Sequence, residues 1–356
     1  MDTPRKTEVE ALAGATLMVG LPGTELSRED VEFLDDLRPG GVILFDRNLE
    51  TPEQTRRLLR DLRRCVPDRS WFSIDQEGGR VSRMARWIGP TASALELVGR
   101  GPEVIHEFAA TTARTLASLG FNMDFAPVVD LSPSDAPNGI GDRAYGVTPS
   151  AVIPSAAAFL AGLQDHRVAG CLKHFPGLGD THVDSHKSLP CVTRTRAELQ
   201  EDMEPYGRLA GESVAVMVGH GHYTAFDAEP TPATLSSHIV RKMLRGSCGF
   251  EGLVVSDDME MGAVAAWDTE GGAAVQAIDA GCDLILYCWA AENAIRARDR
   301  LRDAAIGDLN FFTSLQTAAR NVRSSASRWP VAADGREGPL VASELAKPFE
   351  TYRPRA

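Results

Sequence analysis

The chain has 356 residues, with 37 Lys and Arg against 49 Asp and Glu and a formal net charge of −12. At 43% hydrophobic and 24% charged residues it has ample material for a packed core, which excludes a disordered chain, and its 32 Gly and 21 Pro follow no collagen-like triplet period. The acidic balance argues against nucleic acid as the main partner, because phosphate binding needs a basic stripe and these Lys and Arg are scattered.

The length fits two average domains or one large α/β barrel. No segment reaches the roughly 18 apolar residues of a membrane helix. Near the N-terminus Arg5, Lys6, Glu8 and Glu10 interrupt any secretory apolar core. The six cysteines form no CxxC pair and read as small buried hydrophobes, so a reducing, cytoplasmic setting is expected.

In chain order, short apolar β-branched runs fall at 16–19, 41–45, 71–74, 123–128, 169–173, 214–218, 253–256 and 283–286. Each is continuous rather than alternating, the look of a parallel strand buried on both faces. Helix-period segments at 27–37, 52–64, 102–119, 149–164, 196–211, 236–244, 270–280 and 292–304 separate and follow them. Ser27 ahead of Glu29-Asp30, Thr51-Pro52 and Thr148-Pro149 are helix start signals. The basic run from Arg56-Arg57 to Arg63-Arg64 lies beside Glu53 and Asp61 and reads as a solvated helix face.

Eight strand-helix units in series predict a single-domain α/β protein, a (β/α)8 barrel. No GxGxxG follows the first strand, so a dinucleotide-binding sheet is not expected. The catalytic barrel is expected over 1–330, and 331–356, rich in Pro, Gly and charge, reads as a C-terminal tail packed on the surface or partly loose.

Active sites of such barrels lie at the C-terminal ends of the strands. Strand three ends at Asp75, followed by Gln76-Glu77-Gly78-Gly79-Arg80 and Arg83. The loop after strand four carries Asp142-Arg143, and strand five ends Lys173-His174-Phe175-Pro176-Gly177. Its loop continues through Asp180, His182, Asp184 and His186; strand six ends Gly219-His220-Gly221-His222 and strand seven Ser256-Asp257-Asp258. Six of the eight histidines lie between 166 and 222, five of them after strands five and six. This sorting of polar groups to one face argues for an enzyme. Asp, Arg, Lys and His without a nucleophilic thiol or elbow serine suit a polyhydroxylated ligand. Asp257 can be a nucleophile on an anomeric carbon or a metal ligand. His182 and His186 lack a third ligand at sensible spacing, so no metal and no cofactor are expected.

The segment from Lys173 through Pro176-Gly177, Asp180-Thr181 and Asp184-Ser185-His186 resembles the fingerprint of glycoside hydrolase family 3 β-N-acetylglucosaminidases. So do Asp75-Gln76-Glu77-Gly78-Gly79-Arg80, the Arg143 loop and Ser256-Asp257-Asp258-Met259. The resemblance implies a retaining exo-β-N-acetylglucosaminidase that acts on terminal β-linked GlcNAc, with muropeptides of cell-wall recycling as the expected substrates. It assigns Asp257 as catalytic nucleophile and a His186–Asp184 dyad as acid/base. It places Asp75, Arg83, Arg143, Lys173 and His174 around the sugar, and it implies a monomer. A histidine suits the acid/base role, since its unperturbed pKa of about 6.5 lets it give and take a proton near neutrality. One departure is plain: the family's Pro-Gly-His-Gly has Leu178 at the histidine position. Phosphorolysis, broader β-glucosidase activity and a silent saccharide-binding barrel are the competing readings.

Overall fold

The computed structural model describes residues 3–136, 138–179, 181, 188–265, 267–331 and 340–355. Eight parallel strands close into a barrel: β1 (Leu17–Val19), β2 (Gly41–Leu44), β3 (Trp71–Ile74), β4 (Met123–Asp124), β5 (Ala169–Phe175), β6 (Ala215–Val218), β7 (Leu253–Asp258) and β8 (Leu284–Tyr287). Each pairs with its sequence neighbours, and β8 closes on β1 with Met18 opposite Leu286.

The strands read as unbroken apolar runs because both of their faces are buried. Met18, Ile43, Trp71, Cys171, Met217, Leu253 and Val255 point into the barrel interior. Their neighbours Leu17, Val42, Phe72, Leu172, Val216 and Val254 pack outward under the helices. Two layers are thus written into one run, as expected for a buried parallel sheet.

Among the described residues, ten longer helices surround the sheet: α1 (Thr3–Ala15), α2 (Arg28–Leu37), α3 (Pro52–Cys65), α4 (Pro102–Leu119), α5 (Pro149–Gln164), α6 (Arg196–Arg208), α7 (His238–Ser247), α8 (Gly272–Ala280), α9 (Ala291–Gly307) and α10 (Leu309–Arg328). Ser27 and Asp30 form a reciprocal capping box on α2, as Thr195 and Glu198 do on α6. On α3, Leu58, Leu59 and Leu62 face the core while Arg57, Arg60 and Arg64 are exposed, and Arg64 pairs with Asp61 at 3.1 Å. Arg57, Arg60 and Arg64 of the basic run form a solvated helix face, while Arg56 and Arg63 are half-buried.

Several expectations shift. β4 is regular over only two residues; beyond it the Phe125 N–H donates to the Ile74 carbonyl, the Ala126 carbonyl accepts from the Cys171 N–H and Val128 bridges Lys173, so the run at 123–128 continues with irregular pairing. Pro127 lies within that run and has no N–H to donate, and the Ala126–Pro127 bond is cis. β5 runs two residues further than expected, to Phe175. α7 is π-helical and starts two residues late. Helices α1 and α10 lie outside the eight repeats. α10 brings Val322 and Ala326 against the barrel interior and so closes the end of the barrel opposite the site. Segment 340–355 forms a short helix (Ala342–Ala346) and a 3-10 turn (Lys347–Tyr352), with Phe349 and Tyr352 buried edge-on against Phe108 of α4.

Candidate active site

Beyond β3 the chain makes a tight antiparallel hairpin, Gln76–Gly78 against Val81–Ser82. Gly78 and Gly79 take φ of +100° and +54°, and a Cβ on Gly78 would stand 3.0 Å from both the Ala92 carbonyl oxygen and the Phe108 ring. Only glycine accepts both the backbone angle and the close approach there. The turn holds Glu77 inward, and fully buried Asp124 accepts the Gln76 N–H at 2.9 Å.

Glu77 is the hinge of an ion cluster. Its Oε1 lies 2.7 Å from Lys173 Nζ, and its two oxygens accept from Arg143 Nη2 and Nε at 2.8 Å each, a bidentate fork. Lys173 also donates to Asp75 Oδ1 at 2.8 Å, and Asp75 Oδ2 lies 3.5 Å from Arg83. Burial alone would raise the Asp75 carboxyl, but the Lys173 and Arg83 charges outweigh it and hold it below its ordinary value. Burial opposes ionisation of Glu77 too, and Arg143 and Lys173 override it strongly. Lys173 follows the same logic with the opposite sign: burial lowers it, the two carboxylates win, and it stays an ammonium.

At the end of β5 the Lys173–His174 and Phe175–Pro176 bonds are cis. His174 Nδ1 lies 2.7 Å from Asp130 Oδ2, which also receives the His174 N–H at 3.2 Å, and Asp130 Oδ1 accepts the Leu178 N–H at 2.8 Å. One buried carboxylate therefore fixes the imidazole and the first turn of the following loop. The Leu178 side chain is buried in a small apolar cluster with Val128, Ile140 and Ala144.

β7 delivers Asp257, half-buried, whose Oδ1 accepts the Asp258 N–H at 2.8 Å. Asp258 Oδ1 accepts the N–H groups of Glu260 and Cys288 at 3.1 and 3.3 Å, tying the β7 loop to the β8 end. Burial, joined by the Glu260 and Asp257 charges, pushes the Asp258 carboxyl up to about 7. His220 is fully buried, with Nδ1 2.7 Å from the Thr234 hydroxyl and Nε2 3.0 Å from the Asp258 carbonyl oxygen. Burial depresses its pKa, so it is neutral, and Nε2 must donate to that carbonyl. This is a structural histidine beneath the site.

Asp75, Arg83, Arg143, Lys173, His174 and Asp257 line one cavity of about 430 Å³ at the C-terminal mouth of the barrel. Asp184 and His186 lie outside the described residues, as do Asp180 and His182. Among the described residues no group of three or more His, Cys, Asp and Glu could hold a metal ion. The same cavity is lined by Phe45, Arg47 and Trp289, which come from the ends of β2 and β8. Reading only the polar ends of strands three to seven misses them. The available signal was position, since all three lie at or within three residues of the end of an apolar run.

A barrel whose strand ends converge carboxylates and cations on one pocket has the form of a carbohydrate-processing enzyme. Residues 9–307 match the family model described as the glycosyl hydrolase family 3 N terminal domain. A beta-hexosaminidase of Alkalilimnicola ehrlichii is 40% identical over 281 residues, covering 76% of this chain and 80% of that protein. One of Thioalkalivibrio sulfidiphilus is 36% identical over 295 residues, covering 81% and 84%. Among solved structures, a glycoside hydrolase family 3 beta-N-acetylglucosaminidase from Paenibacillus sp. superposes with a TM-score of 0.86 at 33% identity, over 96% of this chain and 68% of that one. A family member from Mycobacterium smegmatis gives 0.79 at 32%, over 93% and 97%. The chain belongs to glycoside hydrolase family 3 and is a glycosidase.

Proposed function

We propose that this enzyme is a retaining exo-β-N-acetylglucosaminidase that removes terminal non-reducing β-linked GlcNAc. The observation that carries the reading is the meeting of Asp257 with the Asp75–Lys173–Glu77–Arg143 cluster in one cavity. Relatives and structural neighbours bearing beta-hexosaminidase and beta-N-acetylglucosaminidase names support it.

Asp75 accepts from sugar hydroxyls, and Lys173, Arg83 and Arg143 donate to them, with His174 held for the same task by Asp130. An Asp257 oxygen bonds to C1 as the bond from C1 to the leaving oxygen breaks. His186, oriented by Asp184, gives that oxygen its proton. It then takes a proton from the water that releases the sugar from Asp257. The expected substrates are muropeptides such as GlcNAc–anhydroMurNAc, handled in the cytoplasm by a monomer whose catalytic unit is the barrel of residues 1–330. Among the described residues no helix is long and apolar enough to cross a membrane.

The test is a mechanism-based trap. A 5-fluoro derivative of a β-GlcNAc donor is incubated with the enzyme, and the labelled peptide is mapped. Label on Asp257 is expected; label on another carboxylate overturns the assignment. Product analysis in phosphate buffer separates hydrolysis, which yields GlcNAc, from phosphorolysis, which yields GlcNAc-1-phosphate.

A further inference from the structure

Trp289 is 66% exposed, and among the described residues it is the one aromatic side chain counted with the exposed large hydrophobics. It stands at the cavity mouth, among the residues that line the cavity. It is also built in place. Its backbone N–H donates to Glu260 Oε2 at 2.6 Å, and the next N–H, of Ala290, donates to Glu260 Oε1 at 3.0 Å, at the start of α9. The ring lies nearly parallel to Phe45 (17°, centroids 6.2 Å apart), and the Arg47 guanidinium sits 4.2 Å from the indole and 4.6 Å from Phe45. Arg47 is itself pinned, donating to the carbonyls of Cys288 (2.6 Å) and Leu21 (2.9 Å). Arg83, 5.5 Å over the Phe45 ring, joins this platform to Asp75.

We infer that Trp289 is the floor of a leaving-group subsite and stacks the pyranose ring of the aglycone. The inference rests on the proposed glycosidase chemistry at Asp257. The hydroxyl-binding groups come from the ends of β3 and β5 and the loop after β4, and the nucleophile from β7. The sugar therefore spans the mouth with C1 at β7, and its leaving group departs opposite the attacking Asp257 oxygen, outward to the cavity mouth, whose rim at β8, beside β7, carries Trp289. Trp289 is the side chain that follows β8 there, and sugar C–H faces pack on aromatic faces. A rigid, pre-placed ring spends little conformational entropy on such contact. The subsite makes a second sugar ring, rather than a small alcohol, the preferred leaving group.

The experiment compares kcat/KM for chitobiose, whose leaving group is a second pyranose, with that for N-acetyl-β-glucosaminyl fluoride, whose leaving group has no ring. Wild type, Trp289→Ala and Trp289→Phe are tested together. Stacking of this kind is worth about 1 kcal/mol, so W289A should lower the chitobiose-to-fluoride ratio about fivefold to tenfold, and W289F should restore most of it. Equal loss on both substrates, or an unchanged ratio, overturns the subsite and leaves the proposed function standing. Wild-type turnover of the fluoride but not of chitobiose also overturns it. Turnover of neither by folded wild type overturns both readings.

Discussion

Replacing Glu77 by Gln removes one negative charge from between two buried cations. Glu77 is 7% exposed, Lys173 2% and Arg143 15%, so water reaches the cluster only from the cavity side and compensates little. Gln keeps one acceptor oxygen, but its NH2 must then face either the ammonium or the guanidinium. Breaking a buried pair on one side costs about 3–5 kcal/mol. The entropy of unfolding, about 2.1 cal/mol/K per residue, amounts to about 0.75 kcal/mol/K for a chain of this length, so the midpoint should fall by about 4–7 °C. Activity should fall further than stability implies, by about 100-fold in kcat/KM, because Lys173 and Arg143 lose the group that aims them at the sugar. The sign of the pH dependence follows from the depressed Glu77 pKa. Its contribution is full above the unfolded value of about 4.3 and fades as pH falls through the lower folded value. The gap between wild type and variant should therefore be wide at pH 7 and narrow progressively below pH 4. Scanning calorimetry at pH 7 and in acid, with kinetics on a chromogenic β-GlcNAc substrate, measures all of it. A midpoint within about 1 °C of wild type at pH 7, together with kcat/KM within twofold, would refute the claim that Glu77 carries the cluster.

Two other side chains give equally definite expectations. Asp130→Asn sets an NH2 against either the Leu178 N–H or the His174 donors, since both carboxylate oxygens are occupied. The expected result is a loss of about 2–4 kcal/mol in urea unfolding and a raised KM, and unaltered values of both would count against the orienting role. For Asp258, burial raises the folded pKa to about 7, above the unfolded value of about 3.9. Its stabilising contribution is therefore full below pH 4 and lost as pH rises through 7. Asp258→Asn should abolish that decline, so that variant minus wild-type midpoint grows from pH 5 to pH 8; parallel curves would show that Asp258 does not titrate there.

The barrel was legible because burial on both faces leaves a mark that needs no partner: an apolar run, a cap, a helix period. Helices α1 and α10 carry no such rhythm of repeat, and α10 is defined by what it plugs, Val322 and Ala326 against the barrel interior. The polar half of the site was legible for the complementary reason. Asp75, Lys173 and Asp257 interrupt apolar strands at their ends, and a charge there asks for an explanation. Phe45 and Trp289 raise no such question, because after an apolar strand an aromatic residue reads as more core. Only the fold shows that these two strand ends open onto the pocket.

Leu178 shows both sides of that limit. Its departure from the family pattern is visible in the chain, but the reason a leucine fits is not. Its backbone performs the polar work, donating N–H to Asp130 and accepting from Asn138 Nδ2 (3.1 Å) and Thr181 Oγ1 (2.9 Å) through its carbonyl. Its side chain is left to fill an apolar pocket made by Val128, Ile140 and Ala144. The loop is thus anchored through main-chain groups that any residue would supply, and the side chain only has to match the pocket. The net charge of −12 misleads in the same way. It sums the whole chain, whereas among the described residues around the cavity five cations, Arg47, Arg80, Arg83, Arg143 and Lys173, stand with five carboxylates, Asp46, Asp75, Glu77, Asp257 and Asp258. What the enzyme offers its ligand is set by that local balance and not by the sum over the chain.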